Sequence, residues 1–157
     1  MLDATLSRRP DTGADASAIT CDRLTRHLAY ILFRHTQDLT VRTLEGIAAA
    51  LCNRADGRVP AAGSAPAPAD RPAFPDWLVL LQSVLNEEMP EPPVAADFTE
   101  PRRALCLRTA VRAVSRALKD PTGGATDFHP SGALPPWAWP RTPCACIGTF
   151  VFYRRGE

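Results

Sequence analysis

The stretch Asp120-Pro-Thr-Gly-Gly-Ala-Thr-Asp-Phe-His129 decides the reading of this chain, with Leu134-Pro-Pro-Trp137 and Ile147-Gly-Thr-Phe-Val-Phe-Tyr153 completing it. The Asp120 carboxylate can cap the turn that follows, Pro121 fixes the backbone, and Gly123 and Gly124 can take positive φ and admit a close approach. Ala125 to Phe128 and Ile147 to Tyr153 favour strand. Trp137 and Tyr153 offer flat apolar faces with polar edges, suited to stacking on sugar rings. The plainer alternative is a turn, a hairpin and an aromatic plug over the core.

Upstream, apolar spacing is helical. Leu24, Leu28, Ile31, Leu32 and His35 share one face of a helix expected from Thr20 to about Gln37. Leu44, Ile47, Ala48, Leu51 and Cys52 mark a second, from Val41 to about Asn53, stopped by Asp56-Gly57. Trp77, Leu80, Leu81, Val84 and Leu85 mark a third from Asp76 to about Glu88, ended by Met89-Pro-Glu-Pro-Pro93. Thr99-Glu-Pro101 opens a fourth running to Leu118, whose widely wrapped apolar residues suggest the most buried helix. Residues 1–16 are polar and unpatterned, a disordered lead. Residues 17–157 read as one domain, interrupted by a Pro/Ala-rich loop over 59–74 that buries too little to offset its ordering entropy. Glu87 and Glu88 read as the solvated end of the third helix.

Composition bounds the function. The chain has 157 residues, enough for one domain with a hydrophobic core, and a net charge of +1, which supplies no strong field toward nucleic acid or an anionic membrane. No segment approaches the ~20 apolar residues of a bilayer span, so stable membrane insertion is not expected. Met1 to Ala18 lacks the apolar core of a signal peptide; the expectation is a protein cytoplasmic as synthesised, whose export would need lysis, a holin or a phage-like particle. Five cysteines, an odd count with two in helical patterns, argue for free thiols. Cys144-Ala-Cys146 lacks the spacing and the second pair of a zinc site. No metal and no cofactor are expected.

The order Asp120-Pro121-Thr122, Gly124-Ala125-Thr126, Phe128-His129, Pro136-Trp137-Ala138, Ile147-Gly148 and Phe152-Tyr153 resembles the C-terminal half of the SleB-type cell-wall hydrolases, the spore-cortex-lytic enzymes, over roughly residues 104–154. The resemblance implies an α+β fold of about four helices and a small C-terminal antiparallel hairpin or sheet, with a lysozyme-like or lytic-transglycosylase-like cleft. It also implies action on peptidoglycan glycan strands as a glycosidase or lytic transglycosylase, and a cleft floored by Thr122, Phe128, His129, Trp137 and Tyr153.

The catalytic position is where the chain departs. Such enzymes carry a glutamate in a Tyr-Gly-Glu-x-x-Gly-Glu run, then Glu-Gly, then Leu-Asn-Arg-Val. Aligning Asn53-Arg54 without gaps puts His35 in place of that glutamate. Aligning Glu45-Gly46 requires a deletion of about three residues and puts Asp38 there. Asp38, Glu45 and His35 are therefore the candidate acids. Cleaving a glycosidic bond requires protonating the leaving oxygen, normally by a carboxylic acid of raised pKa. Histidine can shuttle protons near neutrality. The tail departs too, with Phe150 and Asp127 where the family commonly has histidine. A second expectation is accordingly a catalytically degenerate relative, serving as a peptidoglycan-binding or phage-derived interaction module.

Overall fold

The computed structural model describes residues 12–35, 37, 40–57, 73–93 and 96–156. Four helices, α1 (Thr12–His35), α2 (Val41–Asp56), α3 (Phe74–Glu88) and α4 (Pro101–Val114), precede three strands, β1 (Asp127–Pro130), β2 (Ala145–Ile147) and β3 (Phe150–Tyr153). This is the α+β arrangement expected. Residues 1–11 of the expected lead, 59–72 of the Pro/Ala-rich loop, and Asp38 lie outside the described residues.

Local chemistry starts α2, α3 and α4. Thr40 caps α2, its Oγ1 accepting from Thr43 N at 3.3 Å. Glu100 caps α4, accepting from Arg102 N and Arg103 N at 3.1 and 3.2 Å, with Pro101 in the first turn. Phe74 opens α3 two residues before Asp76, because Pro75 is also suited to a first turn. α1 begins at Thr12, so residues 12–16, expected to be disordered, are helical. The fourth helix stops at Val114 rather than Leu118, where Arg116 turns to φ 59.

α1 packs on α4 and α3, and α2 packs on α3, α4 and the sheet. The core joins Leu24, Leu28, Ile31 and Leu32 to Leu44, Ile47 and Leu51, and to Trp77, Leu81, Val84 and Leu85. Among the described residues the most buried helix is α2, not α4. It meets helices on one side and Ile147 and Phe152 of the sheet on the other, so it buries nine residues to five for α4. Burial at this scale, roughly 1.5–3 kcal/mol per large apolar side chain, is the main favourable term.

The sheet is antiparallel in the order β1-β3-β2. β3 pairs with β1 in the register Phe128↔Phe152 and His129↔Val151, and with β2 in the register Cys146↔Val151. The run from Ile147 to Tyr153, which alternation suggests is one strand, is divided by a turn at Gly148-Thr149 into the end of β2 and all of β3. That hairpin leaves β1 to join β2 through the proline-rich loop of residues 131–144.

Candidate functional site

The Asp120 turn is the pivot between helices and sheet. Asp120 Oδ1 accepts from Thr122 N (2.7 Å) and Thr122 Oγ1 (2.6 Å), and Oδ2 accepts from Gly124 N (2.8 Å) and Asn53 Nδ2 (3.0 Å). Burial pushes its pKa up, but these four donors outweigh it, and the carboxyl sits below the usual aspartate range. Gly123 and Gly124 take φ 70 and 94, as the turn requires. The close approach at Gly123 is made by the chain itself, since Arg154 Nε donates to Gly123 O at 2.8 Å. Thr122 is buried and its hydroxyl is used twice, donating to Asp120 and accepting from Ala125 N at 3.1 Å. It is part of the turn and not of an open cleft floor.

The turn delivers β1 across the ends of three helices. His35 closes α1, Arg54 lies in the last turn of α2 and Glu88 closes α3. Arg54 Nη1 donates to Glu88 Oε2 at 2.9 Å, and its Nε donates to Thr126 O at 2.9 Å. His35 Nε2 lies 2.8 Å from Glu88 Oε1 but out of line for a hydrogen bond, so the contact is one of charge when the ring is protonated. The His35 contact, reinforced by Arg54, holds the Glu88 carboxyl below the usual glutamate range against the opposing effect of burial. The Glu88 side chain is only 18% exposed, so the residue is not a solvated helix end. Phe128 stands over this cluster, its ring 5.3 Å from that of His35 in an edge contact and 5.9 Å from the Arg54 guanidinium.

The cluster continues along the sheet. Arg54 Nη2 lies 3.8 Å from Asp127 Oδ1, and Arg141 Nη1 lies 3.1 Å from Asp127 Oδ2. Arg141 also donates to the Arg154 carbonyl, and its guanidinium lies 5.4 Å from the ring centroids of both Trp137 and Tyr153. His129, buried in β1, stacks on Tyr153 at 5.5 Å and meets Trp137 edge-on at 5.7 Å. Its Nδ1 is 2.8 Å from Pro130 O, which can only accept, so Nδ1 carries a proton; in the neutral ring Nε2 then accepts from the Tyr153 hydroxyl at 3.0 Å. Both ring nitrogens are therefore occupied. Tyr153 is buried, while Trp137 remains 41% exposed.

Of the candidate acids, His35 enters the cluster, whereas Glu45 is held by Arg112 of α4 at 2.6 Å. Among the described residues no hydrogen bond or ion pair joins Glu45 to His35. His129, Trp137 and Tyr153 come together on one face of the sheet, whereas Phe128, the next residue along β1, points to the other face against His35, Phe150 and Phe152. Glu88, Arg54 and Arg141 were the residues missed. Glu88 differs from Glu87 only by one step of helix rotation, and that step decides burial.

Two cavities share no residue with the His35–Glu88 pair. One of about 470 Å³ lies between α1 and the segment after α3, lined by Asp22, Arg26, His27, Glu91 and Phe98. The other, about 70 Å³, lies beside Cys52, Asn53, Trp77 and Asp120. Among the described residues no three His, Cys, Asp or Glu side chains converge as metal ligands, and no helix is long and apolar enough to cross a membrane. No family model, curated protein or solved structure matches this chain.

Proposed function

We propose that the chain is a divergent cell-wall hydrolase-like protein that engages peptidoglycan glycan strands along the surface from His35 and Phe128 to Trp137, without the carboxylic acid that cleavage ordinarily uses. One observation carries this reading. A continuous series of contacts, His35 to Glu88, Arg54, Asp127 and Arg141, ends on the aromatic pair Trp137 and Tyr153. Half-exposed Trp137 supplies an amphipathic edge and the arginine–carboxylate pairs supply polar groups, a combination suited to saccharides.

Among the described residues, the carboxylates near this surface are committed. Glu88 is held ionised by His35 and Arg54, the opposite of the raised pKa that a general acid needs. Asp127 is engaged by two arginines and Glu45 by Arg112. Binding without cleavage is the function these groups favour.

A second reading rests on the 2.8 Å contact of His35 with Glu88. A protonated His35 imidazole could deliver its proton to a glycosidic oxygen while Glu88 balances the ring's charge, with the sugar's own 6-hydroxyl completing the displacement. The test is incubation of the purified protein with insoluble peptidoglycan, measuring co-sedimentation and soluble muropeptides. The variants are His35→Ala, Asp38→Ala, Glu45→Ala and Glu88→Gln. Co-sedimentation without release supports binding. Anhydro-sugar release lost in His35→Ala and Glu88→Gln moves the assignment to the second reading. Neither binding nor release removes both.

A further inference from the structure

We propose that Trp139 is a second sugar-stacking platform, placed on the same loop as Trp137 and binding a further residue of the glycan strand. This rests on the glycan-strand reading above and adds a subsite to it. The three tryptophans stand in different surroundings. Trp77 is buried in the helical core. Trp137 has its edges against His129 and Tyr153 and the Arg141 guanidinium over its ring, so part of its stacking surface is occupied within the chain. Trp139 is 78% exposed, and among the described residues no ring or guanidinium stacks on it.

The loop holds that indole out in a defined position. Ala138, between the two tryptophans, is buried, and the turn is closed by Ala138 N donating to Pro135 O at 2.9 Å and Arg141 N donating to Ala138 O at 3.1 Å. Pro135, Pro136, Pro140 and Pro143 restrict the remaining backbone. A rigid loop carrying a side chain with only two torsions loses little entropy when a ligand docks. Leu134, 65% exposed on the same loop, extends the apolar surface.

Charge selects the kind of ligand. From Ser131 to Pro143 the only charged residue is Arg141, which is committed to Asp127 and the Arg154 carbonyl. Nothing in this loop offers the cluster of free cations that an anionic lipid surface attracts. A neutral pyranose with one apolar face fits an indole presented in this way.

The experiment is co-sedimentation of the full chain with insoluble peptidoglycan, with phosphatidylglycerol vesicles in parallel, for wild type, Trp139→Ala and Trp139→Phe. Thermal unfolding checks that each variant is folded. Trp139→Ala should bind peptidoglycan roughly tenfold more weakly, the loss typical of an aromatic anchor, while Trp139→Phe keeps most of the affinity. Wild-type binding that Trp139→Ala leaves unchanged overturns this subsite and spares the glycan-strand reading. Absence of wild-type binding overturns both. Adsorption to vesicles that depends on Trp139 and exceeds binding to peptidoglycan overturns it in favour of a lipid surface.

Discussion

Asn53 Nδ2 donates to Asp120 Oδ2 at 3.0 Å and to Ala125 O at 3.0 Å, so one side chain of α2 grips both ends of the turn that leads into the sheet. The grip spans 67 residues of sequence. Asn53→Ala leaves a partly buried carboxylate and a carbonyl short of a donor. It should lower stability by about 1–3 kcal/mol, read as a reduced urea midpoint with unchanged slope. A midpoint equal to the wild type would show that the turn closes on its own.

Gly46 is the point of closest approach between α2 and the sheet. A Cβ there would lie 2.9 Å from Phe152 Cζ and 3.4 Å from Ile147 Cδ1. Phe152 is fully buried and cannot swing aside. Alanine gains at most about 1 kcal/mol in helix propensity, against about 1–3 kcal/mol for overpacking. Gly46→Ala should therefore unfold at a lower temperature, and Gly46→Val at a lower one still. A raised midpoint for the alanine variant would mean that the sheet yields.

Glu88→Gln should destabilise the protein at pH 7 by about 1–3 kcal/mol, since the neutral amide leaves the partly buried Arg54 without its counter-charge. Because the folded pKa of Glu88 is depressed, its stabilisation is fully present above the ordinary glutamate value of 4.5 and is lost as pH falls through the lower folded value. The gap between wild type and variant should be widest above that ordinary value and close in acid. A gap that widens on acidification contradicts the arrangement.

Thiol reactivity should follow burial. Burial pushes the Cys52 thiol up to about 12 and that of Cys106 up to about 11, leaving almost no thiolate at pH 8, while Cys146 is exposed. Timed iodoacetamide labelling read by peptide mass should mark Cys146 early and Cys52 and Cys106 only after unfolding. Early labelling of Cys52 would contradict the packing of α2 against α4.

On the cell-wall reading, the acid can be put back. His35→Glu sets a second carboxylate against Glu88, and two carboxylates sharing one site cannot both ionise easily, so one keeps its proton to higher pH. Arg54 stabilises the other. This variant should release more soluble muropeptide from peptidoglycan than the wild type. A folded variant that still binds but releases nothing would show that position 35 does not face the scissile bond.

The fold was legible where one residue's chemistry decides its own surroundings. Leu24, Leu28, Ile31 and Leu32 declare a buried helical face by spacing alone, and Asp120 before Gly123-Gly124 declares a capped turn. The candidate site was legible only in part, because its contacts are long-range. Arg54 and Glu88 stand 34 positions apart, and no local pattern announces their pairing. The prominence of α2 was hidden for a related reason: small residues such as Ala48, Ala49 and Ala50 carry little hydropathy, yet they are what lets neighbours press close on both sides. Trp137 and Trp139 differ by two residues and carry the same hydropathy, so which one is the more exposed follows from His129, Tyr153 and the Arg141 guanidinium packing on Trp137.

The place of β3 at the centre of the sheet, between two strands that precede it in the chain, sets the order of events during synthesis. A polypeptide leaving the ribosome presents β1, then the proline loop, then β2, and neither strand has a neighbour to pair with until residues 150–153 emerge. Phe152 and Tyr153 arrive in that same moment, the first filling the seat beside Gly46 and the second closing on His129. The helices can assemble early as a partial globule. The aromatic face of the sheet is acquired afterwards, all at once, so nascent or shortened chains that lack β3 would carry the two tryptophans of the loop with no surface to hold them.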